Sequence, residues 1–395
     1  MKQFKIDSVQ GGDSAKDNNQ KPGGIMKRIL IMATMVVTML AFQNRLYANS
    51  AKNMIQVAIL LDTSNSMDGL IDQAKTQLWK IVNELARSKK GGEPINLNVA
   101  LYEYGKDSIP AEEGYLRMIV PLTTDLDKIS DELFKLSTNG GSEYCGTVIE
   151  SAVDGLKWSK SNDDLKIIVI AGNEPFTQGQ VDYRKACADA IKRGIIVNTI
   201  FCGNFDEGLN SGWKDGADLA DGKYMNIDQN QQIVQISAPQ DKELAQLGME
   251  LNETYIAYGD AGEVGKKMQA MQDANSMGLN PAVMAERSVA KASGQYKNES
   301  WDLVDAEKEG KVDLTKLDEV KLPDEMKQMT MDERKDYVDK MAKKREEIQN
   351  KINQLDEARR KYIANKQLEN QNDTFDAALI NAVREQAEKK NFEFE

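Results

Sequence analysis

Seven residues, Ile55-Gln56-Val57-Ala58-Ile59-Leu60-Leu61, are almost wholly apolar and run directly into the polar stretch Asp62-Thr63-Ser64-Asn65-Ser66. A short run rich in Val, Ile and Leu reads as a strand buried on both faces. Asp68 to Lys89 then carries Leu70, Ala74, Leu78, Ile81, Val82 and Leu85 at the spacing of an amphipathic helix. Ile95 to Tyr104 alternates with a period of two, and Tyr115 to Leu122 gives a third strand. Leu126 to Leu136 and Thr147 to Trp158 are predicted helices. Leu165 to Ala171 is another continuous apolar strand, followed by a helix over Asp182 to Arg193 and a strand over Ile195 to Phe201. A short edge strand over Lys223 to Ile227 and a helix over Pro239 to Leu251 complete the series. Strands alternating with helices predict an α/β fold, a doubly wound, mostly parallel six-stranded sheet covered on both faces.

Beyond Gly259 the aliphatic strands disappear and Lys, Glu, Asp, Gln, Asn and Met dominate. Residues 260–395 therefore read as a charged α-helical region following a sheet domain over residues 54–259. Gly262 to Ala292 is predicted as one or two helices folding back on the sheet, with Trp301 as an anchor and Glu307 to Pro323 as an acidic linker. Val338, Met341, Ile348, Ile352, Leu355 and Tyr362 follow the spacing of a short coiled-coil seam, interrupted by Arg345 and Arg359. The alternative is a solvated, salt-bridged helix. Asn372-Asp373 is placed as the cap of a last helix over Phe375 to Lys390, with Phe375, Leu379 and Val383 on one face.

The N-terminal 48 residues form a polar leader followed by a signal-peptide pattern. Lys27-Arg28 precedes an apolar run from Ile29 to Phe42, too short to span a bilayer, and Leu46-Tyr47-Ala48 offers a small residue for cleavage after Ala48 or Ala51. Translation is expected to start at Met26. The protein is thus predicted to be exported, periplasmic or secreted, with an uncleaved inner-membrane anchor as the alternative and as its one route to membrane association.

Composition removes several chemistries. The chain has no histidine, which excludes His general bases, His-containing triads and His-ligated metals. Ser64 and Ser66 lack the Gly-x-Ser-x-Gly elbow of serine hydrolases, and no phosphate-binding glycine motif follows a strand. Nucleotide or other small-molecule substrates therefore have no motif behind them. A net charge of −12 argues against nucleic-acid partners. A binding module fits better than an enzyme. Export permits disulfides: either Cys145 or Cys187 is placed to reach Cys202, leaving one thiol over, and the alternative is three buried small residues.

The remaining chemistry lies at the end of the first strand, where open α/β sheets place ligands. Asp62, Ser64 and Ser66 are oxygen ligands in alternation, suited to a hard cation such as Mg²⁺, with Mn²⁺ or Ca²⁺ also accommodated, rather than to Zn²⁺ or Cu²⁺. The plain alternative is a helix N-cap. The pattern Asp-x-Ser-x-Ser after a strand, with this order of elements from Met54 to Gly259, resembles the von Willebrand factor type A (VWA) domain and its metal-ion-dependent adhesion site. The resemblance implies a third ligand from a second loop, where Gly140-Gly141-Ser142 stands in place of Gly-Gly-Thr. That makes Ser142 the candidate, with Thr147 and Thr138 behind it. The family's third loop reads Thr-Asp-Gly-Glu-Pro. This chain has Ala171-Gly172-Asn173-Glu174-Pro175, so Gly172 replaces the acid and the site is partly degenerate. Glu143 or Glu174 restores the charge only if not an exposed loop carboxylate, which is the expectation for each. What the resemblance implies is divalent-cation-dependent binding of a protein partner in the bacterial cell envelope, the partner offering an Asp or Glu carboxylate. The alternative is a metal-independent scaffold whose helical tail makes the contacts.

Overall fold

The computed structural model describes residues 53–227, 236–370 and 375–394, with the side chains of Ser66 and of residues 368–370 and 375–377, Phe375 among them, outside the description. The leader, the signal-peptide pattern and the Asn372-Asp373 cap also lie outside the described residues. Chain order is β1 (Met54–Asp62), α1 (Asp68–Ala86), β2 (Ser88–Lys90), β3 (Glu93–Pro94), β4 (Asn96–Tyr104), β5 (Leu116–Thr123), α2 (Leu126–Lys135), α3 (Cys145–Gly155) and β6 (Leu165–Gly172). Then follow α4 (Tyr183–Lys192), β7 (Ile195–Cys202), α5 (Phe205–Asn210), α6 (Trp213–Leu219), β8 (Tyr224–Ile227) and α7 (Asp241–Asn252). The main sheet runs β5-β4-β1-β6-β7-β8, parallel except for β5. Every residue of β6 and β7 is buried, which is why these strands read as unbroken apolar runs.

Alternation along β1 serves two cores. Ile55, Val57 and Leu61 pack with α1 and α2, and Ala58 and Leu60 pack on the opposite face with α3 and α4. The helix after β1 stops at Ala86 and not at Lys89, because Ser88–Lys90 joins a small second sheet with β3 and the C-terminal strand β9 (Glu393–Phe394). The short helices α5 and α6 carry too few turns for a periodic signal. They are held by Trp213, fully buried against Phe176 and Phe201.

The helical region comprises α8 (Gly262–Leu279), α9 (Pro281–Ala292), α10 (Leu303–Lys308), α11 (Asp324–Lys327), α12 (Met331–Asn370) and α13 (Phe375–Glu388). Asn280 divides α8 from α9, its side chain accepting the Val283 N–H at 3.0 Å, with Pro281 opening the second helix. From Ala282 to Ala292 every residue of α9 is buried, because α9 packs against α1, α7, α8 and α12 together. The seam of α12 faces the chain itself. Ile348 and Ile352 pack with Leu244, Leu251, Tyr255 and Trp301, and Val338 packs with Ile256, Leu303, Leu314 and Met326. Arg345 and Arg359, which break the seam pattern, are buried ion-paired residues. The expected linker is packed as well, with Leu314 and Leu322 buried, so Glu307–Pro323 is no free connector. Asn53–Glu395 is one compact unit.

Candidate metal centre

Three loops meet at the carboxyl end of the parallel strands. Asp62 is the last residue of β1 and lies in register with Tyr104, the last of β4. The Thr63 N–H donates to Tyr104 O at 2.8 Å, the Asn139 N–H donates to Thr63 O at 2.9 Å, and the Asp107 N–H donates to Gly140 O at 2.5 Å. These bonds tie the turn after β1 to the loop between α2 and α3. Glycine makes the closeness feasible at Gly105, where φ is +78° and a Cβ would lie 2.8 Å from both Asp62 Oδ1 and Glu143 Cγ. A Cβ on Gly141 would meet Gly105 O at 2.6 Å.

Asp62 has 0 % of its surface exposed. Its Oδ1 accepts the Ser64 N–H at 2.8 Å, while Oδ2 has no hydrogen-bond partner. Burial pushes its pKa up to about 7, against the pull of the Ser64 amide and hydroxyl and of the Asn173 amide, and with a further push from Glu143. Ser64 is 4 % exposed and its hydroxyl bonds toward both the Asp62 and Glu143 carboxylates. It caps no helix amide, so the N-cap alternative does not describe it. Ser66 continues the same turn in the backbone, Asn65–Met67.

In the second loop, Ser142 is half-buried and sits between Gly141, packed on Gly105, and Glu143. The two fallbacks are engaged elsewhere. Thr138 Oγ1 donates to Asp68 Oδ1 at 2.6 Å, and the Thr147 methyl packs at Gly114. Glu143 corrects the sequence expectation: it is 6 % exposed, not a surface carboxylate. Its N–H donates to Gln178 Oε1 at 2.5 Å, and burial followed by the charge of Glu174 pushes its pKa up to about 7. Nothing in the periodicity announces this, because the space Glu143 enters is the side chain Gly105 lacks. Glu174 is half-buried, and its carbonyl accepts the Trp213 Nε1–H at 2.8 Å.

Gly172 has a steric explanation. A Cβ there would lie 2.5 Å from Tyr104 Oη and 3.0 Å from Asp62 Oδ2. The Tyr104 hydroxyl, donating to Ala171 O at 2.9 Å, fills the space a third-loop side chain would need. Cys145, Cys187 and Cys202 are buried free thiols, all pushed up by burial, and no disulfide forms among the described residues. The Cys145 thiol lies 3.8 Å from Tyr104 Oη.

The donors fit an oxygen-seeking cation. Among the described residues no ion pair reaches Asp62 or Glu143, so two buried carboxylates and a hydroxyl face each other with one carboxylate oxygen unsatisfied. Among the same residues no group of three or more Cys, Asp or Glu gathers as a metal site, so hydroxyls must complete the set.

A mostly parallel sheet with an oxygen-lined rim at the end of its central strand defines a VWA fold. Residues 56–241 match the family model of the von Willebrand factor type A domain, and the chain carries such a domain. Among solved structures it is similar to BatB from Bacteroides thetaiotaomicron, at 17 % identity over 44 % of this chain and 90 % of that one, TM-score 0.34. It is also similar to the SpRpn10 VWA domain, at 17 % identity over 45 % of this chain and 90 % of that one, TM-score 0.35. A third likeness is to proximal thread matrix protein 1 of the mussel byssus with a zinc-occupied MIDAS motif, at 12 % identity over 45 % and 43 % of the two chains, TM-score 0.33. No curated protein matches the chain. Among the described residues no helix is long and apolar enough to cross a membrane.

Proposed function

We propose that this is an exported VWA protein that captures a protein partner through a divalent cation, held by Asp62, Ser64, Ser66 and Ser142. The observation that carries the reading is the orphan Asp62 Oδ2 in a fully buried carboxylate. A buried carboxylate oxygen left without a hydrogen bond costs of the order of 1–3 kcal/mol, and a bound cation removes that cost. Mg²⁺ suits an all-oxygen set, and Mn²⁺ or Ca²⁺ share its preference. The ion also reverses the local sign of an acidic protein, so that an Asp or Glu of the partner makes a charge-assisted contact where two acidic surfaces would otherwise repel. Interaction is favoured over catalysis because the chain contains no histidine and neither the serine-hydrolase elbow nor a phosphate-binding glycine motif.

A second reading, a metal-independent scaffold, is favoured by Gly172 and by the Tyr104 hydroxyl that stands beside it. Titration with Mg²⁺ and Mn²⁺ by calorimetry, with Asp62→Ala and Ser64→Ala alongside, separates the two. The cation reading requires heat of binding in the parent and its loss in both variants, and partner capture from envelope extracts that a chelator abolishes. Metal-free capture of the same partner by the Asp62→Ala chain would establish the scaffold instead.

A further inference from the structure

We propose that Glu143 is the second acidic ligand of the cation site, carrying on the second loop the charge that the third loop lacks. The inference deepens the cation reading and rests on it. The third loop has no room for its own carboxylate, because Tyr104 Oη lies 2.5 Å from where a Gly172 side chain would begin. Of the acids in the surrounding loops, Asp68 and Asp107 are exposed, which leaves Glu143 and Glu174, and their placement differs. Glu143 is buried and shares the Ser64 hydroxyl with Asp62, and a Cβ added at Gly105 would lie 2.8 Å from both Glu143 Cγ and Asp62 Oδ1. Glu174 is half-buried, and its fixed contact is through the backbone carbonyl.

Two buried carboxylates oriented on one hydroxyl repel each other unless something positive lies between them. No arginine or lysine does so among the described residues, and Asp62 Oδ2 remains unsatisfied on the side of Gly172. The count of carboxylates is a main control on affinity for hard cations. Glu143 returns that count to two by a route that leaves Tyr104 in place.

The test uses the full chain with Mn²⁺ as probe, binding being followed by calorimetry and by the loss of the free-ion electron paramagnetic resonance signal. Glu143→Gln, which keeps size and shape, should weaken Mn²⁺ at least tenfold, while Glu174→Gln changes it twofold or less. Glu143→Asp, which keeps the charge on a shorter stem, should recover part of the loss. If the parent binds Mn²⁺, Asp62→Ala abolishes it and Glu143→Gln binds within twofold of the parent, the assignment of Glu143 is wrong while the cation site stands. Equal weakness of Glu143→Asp and Glu143→Gln at unchanged melting temperature would also overturn the charge role. Absence of Mn²⁺ binding in the parent removes both the site and this ligand.

Discussion

The rim of the sheet and the buried face of the helical region treat charge in opposite ways. In the helical region every buried cation meets acids. Arg287 binds Asp127 at 2.7 Å and Asp273, and stacks over Trp79. Lys291 binds Asp273 at 2.8 Å, Asn252 and Gly248 O. Arg359 joins Asp241 to Glu286, and Arg345 joins Asp302 and Asp305 while lying over Tyr255. At the rim, Asp62 and Glu143 are buried with no ion pair to a basic side chain among the described residues. Burial raises the pKa of both rim carboxyls, whereas for Asp273 and Glu286 the same effect of burial is outweighed by Arg287, Lys291 and Arg359, which leave these acids below their usual values. Burial of an acid is therefore not itself the mark of a site in this molecule. Among the described residues, what sets the rim apart is an acid buried with neither a cation nor a partner for one of its oxygens, as Asp62 is, whereas buried Asp164 without a cation has both oxygens hydrogen-bonded.

The widest way to break the contrast is to make the helical region resemble the rim. Arg287→Met strips the cation from Asp127 and Asp273, and should cost about 3–5 kcal/mol in urea unfolding, as for other half-broken buried pairs. A loss under about 1 kcal/mol would mean that these acids tolerate solitude and that the orphan at the rim signifies little.

Next comes Lys291, whose pKa burial lowers from 10.5 to about 8 while Asp273 opposes the shift. The folded state then binds fewer protons than the unfolded state between these values, so this group makes stability rise as pH is raised through that window. The contribution reaches about 3 kcal/mol at most. Chemical denaturation from pH 7 to 10 should show the parent gaining relative to Lys291→Met, and parallel profiles would refute the assignment.

The smallest effect is expected at the rim. Without divalent ions at pH 8, Asp62→Asn should be more stable than the parent by about 1–3 kcal/mol, because it removes an unmet charge. The parent alone should then gain stability on adding Mn²⁺, about 2.7 kcal/mol at a hundredfold excess over Kd. Thermal melts read both. A variant less stable than the metal-free parent would show that the rim carboxylate is structural and close the gap between the two regions.

Much of this was legible along the chain, and the limits of legibility have physical causes. The six strands and the major helices of the sheet domain follow from local periodicity. So does the placement of Asp62 and Ser64, because a strand boundary fixes which residues stand at its end. The division at Asn280-Pro281 is local too. Tertiary structure decided the rest. Arg345 and Arg359 look like flaws in a seam because period says nothing of a carboxylate brought from Asp302 or Asp241 across the fold. Gly172 looks like the loss of an acid, and only the packed Tyr104 hydroxyl shows that no side chain fits there. Glu143 looks like a loop residue until Gly105, far from it in the sequence, leaves the space it enters. Sequence specifies the order of elements because the hydrophobic period acts over neighbouring residues. The pairing of charges and the filling of volumes depend on contacts between distant segments, and exist only once the chain has closed on itself.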